Sequence, residues 1–136
     1  MESLTSVVRG YVGRKAAFVH DSRDGVESLH VVGDIDLANA AEFEAAIMRM
    51  SEFNEPIVID LTCCTYMDSC ALRVLLGTSK RLTLRVVAAA NSAAHRVFMI
   101  MNASESLSIE YKPFPSIDWS HHELGPSSTS NLKASR

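Results

Sequence analysis

The stretch that decides the fold is Ile57–Leu76, which reads IVIDLTCCTYMDSCALRVLL. It begins with the continuous apolar run Ile57–Ile59, which predicts a strand buried on both faces of a mostly parallel sheet. It ends with leucines at the i, i+3, i+4 spacing of an amphipathic helix, at Leu72, Leu75 and Leu76. The polar residues Asp68-Ser69-Cys70 lie between them, where the helix must begin. Open α/β sheets carry their functional groups at such strand-to-helix turns, so we expect the functional site here.

Strand and helix patterns alternate on both sides of this stretch. The predicted elements are, in chain order, strands at Ala16–His20 and Glu27–Val32, a helix with its apolar stripe at Phe43, Ala46, Ile47 and Met50, the central strand and helix, a strand at Leu84–Ala88, a helix at Ser92–Asn102 and a strand at Ser106–Tyr111. Asn39 is the predicted N-cap of the first helix. The order β-β-α-β-α-β-α-β predicts a single α/β domain, with a mostly parallel sheet of four to five strands and right-handed crossovers.

The ends of the chain are less strongly patterned than its middle. Residues 1–15 predict a loose N-terminal arm, and residues 16–112 the folded domain. Residues 113–124 have the pattern of a short terminal helix anchored by Ile117 and Trp119. The polar, Ser-rich residues 125–136 predict a disordered tail.

The composition excludes several classes of protein. The 136 residues carry a net charge of −3 and are 47% hydrophobic, which is ordinary for a globular domain. Because no stripe of Lys and Arg is available to neutralise phosphates, we expect no nucleic-acid partner. No apolar run approaches the about 20 residues of a membrane span, and the start lacks a signal-peptide pattern, so we expect no membrane insertion. An odd count of three cysteines favours free thiols and a cytoplasmic location.

Motifs for cofactors and catalysis are missing from the sequence. Neither G-x-G-x-x-G nor G-x-x-x-x-G-K-[ST] is present. Cys63 and Cys64 are adjacent on a strand, so they point to opposite faces and cannot easily chelate one ion. Cys70 lies at a helix start, where thiols can be activated, but Asp68 opposes its ionisation and no histidine is close in sequence. We therefore expect no cofactor, no metal site and no enzymatic activity.

Asp34 and Asp36 allow two interpretations. They can be turn residues whose carboxylates make local hydrogen bonds. Alternatively they lie beside Asp68 at the same sheet edge, where three carboxylates form an acidic rim that a partner reads or that borders a phosphorylation site.

Three segments resemble the STAS domain family, which is found in bacterial anti-sigma factor antagonists and at the cytoplasmic ends of sulfate transporters. They are the turn Gly33-Asp34-Ile35-Asp36, the strand Ile57–Leu61 with Tyr66-Met67-Asp68-Ser69, and Val86–Ala88 followed by Ser92–Asn102. The resemblance covers about Ala16–Tyr111. The lack of a transporter membrane region favours the free-standing, antagonist-like branch.

The resemblance implies a phosphorylation switch in that branch. A partner anti-sigma factor, itself a serine kinase of the GHKL type using ATP, phosphorylates a serine at the start of the second helix. The unmodified protein binds this partner and so frees a sigma factor. Here Cys70 occupies the usual acceptor position, after Ser69 and before Ala71, which replaces a glycine. Three alternatives stay open: a constitutive binder, a displaced acceptor at Ser69, or an oxidisable Cys70.

The resemblance also implies which residues meet the partner. The expected partner-binding surface consists of Asp34, Asp36, Asp68, Ser69, Cys70, Leu72 and Arg73. A STAS adaptor subunit of a transport or sensory assembly, binding a small molecule or a lipid-linked partner, is the alternative function. A homodimer also stays open.

Overall fold

The sheet follows the order of the chain. The computed structural model describes residues 4–7 and 16–113. Its strands and helices are β1 Leu4–Val7, β2 Ala16–Arg23, β3 Val26–Ile35, α1 Ala40–Arg49, β4 Ile57–Met67, α2 Ser69–Thr78, β5 Leu84–Ala89, α3 Ala93–Ile100 and β6 Ser108–Lys112. Strands β1 to β3 pair antiparallel, and strands β3 to β6 pair parallel.

This arrangement confirms the predicted α/β domain. Five strands come from residues 16–113, and the sheet order is β1-β2-β3-β4-β5-β6. The sixth is the four-residue β1, which pairs Leu4 with Val19 of β2. Strand β1 lies within the predicted loose N-terminal arm, because four residues are too short to give a periodic signal. Residues 8–15 lie outside the described part of the chain.

One face of the sheet holds the core. In β4, Ile57, Ile59 and Leu61 are fully buried and join the buried residues of all three helices in one cluster. The alternate residues of β4 are only half-buried, at Val58, Asp60 and Thr62. The prediction of a strand buried on both faces is therefore wrong, because the helices cover only one side. On the other side Asp60 Oδ2 instead lies 3.1 Å from His30 Nδ1 of β3.

In the second half of the domain, the third helix and the last strand lie close to their predicted positions. Ser92 caps α3, accepting a hydrogen bond from the backbone N–H of His95 at 3.1 Å. Asn102 follows α3 in the left-handed conformation, with φ of 57°. The last strand begins at Ser108, two residues later than predicted. Among the described residues, no helix has the length and apolar character needed to cross a bilayer. The predicted terminal helix and tail lie outside the described residues, except for Pro113.

Candidate functional site

The turn from β4 into α2 is built by Asp68. Its backbone is extended, and its carboxylate accepts a hydrogen bond from the N–H of Cys70 at 2.9 Å. The carbonyl of Asp68 accepts from the N–H of Ala71 at 3.1 Å. Asp68 is therefore the N-cap of α2 and satisfies N–H groups that the helix itself cannot. Ser69 is exposed and Cys70 half-buried in this first turn.

The turn from β3 into α1 is built by Asp36 and Asn39. The carboxylate of Asp36 accepts a hydrogen bond from the N–H of Ala38 at 2.9 Å and caps a short 3₁₀ turn, Leu37–Asn39, that precedes α1. Asn39 is fully buried; its side chain accepts from the N–H of Asp36 at 3.0 Å and donates to the carbonyl of Asp34 at 2.9 Å. Asn39 therefore occupies the predicted N-cap position of α1 but makes no side-chain capping bond to this helix, because its side chain points back into the turn.

The two turns are joined at the carboxyl edge of the sheet. The N–H of Asp68 donates to the carbonyl of Ile35 at 3.3 Å, and the hydroxyl of Thr65 donates to the carboxylate of Asp34. Gly33, with φ of 112°, precedes a register irregularity that allows β3 to reach this position. The predicted acidic residues therefore share one edge. The carboxylates of Asp36 and Asp68 accept hydrogen bonds within their own turns, whereas that of Asp34 accepts one from Thr65 of β4.

A groove runs between the two helices that leave these turns. We call it the α1–α2 groove; it has a volume of about 200 Å³ and is lined by Leu37, Ala40, Glu44, Cys70, Arg73, Val74 and Gly77. Leu37 is 76% exposed, an unusual state for a large apolar side chain beside a polar turn. Arg73 and Glu44 are also exposed. The groove thus combines an apolar anchor point with both charge signs.

One predicted surface residue does not reach the surface. Leu72 is 2% exposed and packs in the core with Leu75, so it cannot touch a partner directly. In the sequence, Leu72 already belongs to the apolar stripe Leu72, Leu75 and Leu76, which predicts that it faces the core. On α2 the exposed residue of the predicted surface is Arg73. Cys70 and Val74 lie beside it and also line the groove.

Two residues of the site, Thr65 and Leu37, were not predicted, and Asn39 was predicted in a different role. Thr65 and Asn39 hold the turns together, and Leu37 lines the groove. Leu37 could have been noticed, because it is an apolar residue that follows a turn and lies off the stripe of the first helix. Asn39 was noticed but given the role that asparagine most often has before a helix.

The cysteines differ in their surroundings. Cys63 is exposed and Cys64 buried, which confirms that adjacent strand residues face opposite ways. Burial raises the pKa of Cys64 to about 11, and its thiol donates to the carbonyl of Tyr66 at 3.2 Å. In the described part of the chain, no three His, Cys, Asp or Glu side chains are grouped to hold a metal ion.

Comparisons with known proteins place this fold. The family model of the STAS domain matches residues 18–118. A search of curated proteins found no match. The structure is similar to that of an anti-sigma factor antagonist from Mycobacterium paratuberculosis, with 25% identity, a TM-score of 0.64, and coverage of 76% of this chain and 88% of that one.

A second solved structure shows the same fold. It is a candidate anti-sigma factor antagonist from Thermotoga maritima, with 19% identity, a TM-score of 0.55, and coverage of 79% of this chain and 93% of that one. The match of the family model spans most of this chain, from β2 past the end of β6. The chain therefore belongs to the STAS domain family.

Proposed function

We propose that this protein is a cytoplasmic antagonist of an anti-sigma factor. It binds an anti-sigma factor that is a serine kinase of the GHKL type, and so frees a sigma factor. It acts by binding and not by catalysis. The observation that carries the proposal is the α1–α2 groove, which lies where the two acidic turns meet and presents Leu37 beside Arg73.

The chemistry of the groove suits recognition of a protein. Binding energy in protein interfaces concentrates in a few residues, and arginine is enriched among them. Arg73 is exposed on α2, and Leu37 offers apolar area that a partner can bury. Because Leu37 lies in a turn fixed by the buried Asn39, little conformational freedom is lost when a partner docks there.

The geometry at Cys70 supports constitutive binding. The N–H of Cys70 already donates to the carboxylate of Asp68. Position 70 is therefore held in the first turn of α2, where its side chain lines the groove. A thiol is also not a substrate for an ordinary serine kinase. Ser69, exposed in the same turn, is the second alternative for a switch, and oxidation of Cys70 is the third.

The binding surface is tested with two exposed arginines. Arg73 lies in the groove, and Arg85 lies on β5, away from the lining of the groove. We expect Arg73→Glu to weaken the complex with a GHKL-type anti-sigma kinase by about tenfold or more, which is about 1.4 kcal/mol. Arg85→Glu makes the same charge change and should stay within about twofold. Affinities are measured by isothermal titration calorimetry against kinases encoded near this gene.

Two results would count against the proposal. The first is the absence of a complex with every such kinase. The second is an equal loss of affinity in both variants, which would mean that net charge and not the groove governs binding. Circular dichroism spectra identical to that of the parent protein show that each variant is folded.

A further inference from the structure

A second groove in the structure is separate from the proposed partner site. It is a groove on the outer side of α3, with a volume of about 410 Å³, lined by Asn91, His95, Arg96, Met99 and Ile100. We call it the α3 groove. We infer that the chain's own residues 114–124, FPSIDWSHHEL, fold back and occupy the α3 groove.

The outer side of α3 is unusually apolar. Met99 is 66% exposed and Ile100 80% exposed, and Met101 follows them at 54%. His95 and Met99, like Arg96 and Ile100, are four residues apart and so lie on one helix face. The inward residues Ala94 and Phe98 are buried, so this apolar surface is surplus to the core. Contiguous apolar surface of this kind usually serves a contact.

The last described residues of the chain lie next to this groove. The carbonyl of Lys112 accepts a hydrogen bond from the N–H of Ala90 at 2.7 Å, next to groove residue Asn91. The ring of Tyr111 lies 4.1 Å, centre to centre, from the ring of His95, which lines the groove. The described chain therefore ends beside the groove, and residue 114 follows directly after Pro113.

The length and chemistry of the segment fit the groove. Helix α3 has 8 residues and is therefore about 12 Å long. The six residues from 114 to 119 can span about 20 Å when extended, so Trp119 can reach Ile100 at the far end. The apolar residues of the segment are Phe114, Ile117, Trp119 and Leu124. Asp118 is acidic and can face Arg96.

A tethered segment has an advantage over a second copy of the protein. Short linkers give effective concentrations in the millimolar range, above the usual concentration of a free partner. Residue 114 is separated from the end of β6 by Pro113 alone. The chain's own segment is therefore the occupant that the structure favours.

Trp119 makes the inference testable, because it is the only tryptophan of the chain. In the full chain we expect its fluorescence to be blue-shifted relative to free tryptophan and protected from acrylamide quenching. Ile100→Asp should shift the emission to the red and increase quenching. Leu37→Asp is the matched control, since Leu37 is equally apolar and 76% exposed but lies in the α1–α2 groove. It should leave the emission unchanged.

Each outcome decides for or against the inference. Solvent-like emission in the full chain, unchanged by Ile100→Asp, overturns it. A blue shift that appears only as protein concentration rises assigns the groove to a second copy and also overturns it. A blue shift that is independent of concentration and lost in Ile100→Asp supports it. Because Ile100 is exposed, its replacement should leave the fold intact, and far-ultraviolet circular dichroism checks this.

Discussion

At the scale of single residues, the proposed constitutive binding depends on Cys70. Its backbone N–H is bound by Asp68, while its side chain lines the α1–α2 groove. A hydroxyl at this position would be presented to the same partner surface. Under the proposed function, a thiol at this position removes the phosphate acceptor and leaves the capping bond from the Cys70 N–H to Asp68 in place.

Restoring the hydroxyl should restore the switch. We expect Cys70→Ser to gain one phosphate from a partner kinase and ATP, whereas the parent protein gains none. Cys63→Ser is the control, because Cys63 is exposed on β4 and outside the groove. Intact mass spectrometry followed by peptide mapping gives the result. A phosphate on Ser69 of the parent protein would refute constitutive binding and support the displaced acceptor.

Cys64 should resist alkylation in the folded protein. Burial raises the pKa of Cys64 from the ordinary 9.0 to about 11, so near pH 8 its reactive thiolate is about 100-fold scarcer than for an ordinary thiol. The exposed Cys63 should react with iodoacetamide much faster, and the rate at Cys64 should rise as the pH approaches 11. Two variants that each keep one of these cysteines are compared by mass spectrometry. Equal rates in the native protein would contradict the burial; equal rates in urea are expected.

At the scale of elements, the site is a pair of strand-to-helix turns that share hydrogen bonds. Asp36 and Asp68 each cap the helical turn that follows them. The bond from the N–H of Asp68 to the carbonyl of Ile35 links the two caps. The position of α2 relative to α1, and with it the width of the groove, therefore depends on the geometry of both turns.

Asn39 is the residue that holds the first turn. Asn39→Ala removes two side-chain hydrogen bonds from the buried Asn39 to half-buried backbone groups of Asp34 and Asp36, so we expect a loss of about 1–3 kcal/mol in the free energy of unfolding. Urea denaturation measures it. Asn54→Ala, at an exposed position, is the control and should cost less than about 0.5 kcal/mol. An equal loss in the two variants would show that the bonds of Asn39 contribute little.

The element order could be predicted from the sequence because it depends on short-range patterns. The stripe of α1 and the run Ile57–Ile59 each contain enough apolar residues to define a period. The roles of Asn39 and of the outward side of β4 could not be predicted, because they depend on which elements pack against them. Leu72 is different, because its position on the apolar stripe of α2 already predicts that it faces the core.

At the scale of the whole molecule, the two grooves are formed by different parts of the chain. The α1–α2 groove is formed by elements that follow β3 and β4, in the middle of the domain. The α3 groove lies at the point where the described chain ends. If the proposals hold, one surface serves a partner and the other serves the protein itself, so that variants on either can be tested separately.

The sheet order also has a consequence for how the protein is made. Each strand pairs with the strand before it in the chain, from β1 to β6, so no strand waits for a partner that is synthesised much later. Each parallel pair closes a loop that contains one helix, which is shorter than the loop between strands that are not consecutive. Folding is faster when the contacting residues are closer in the chain. A nascent chain leaving the ribosome can therefore extend its sheet one strand at a time, with Cys70 already positioned before the last two strands emerge.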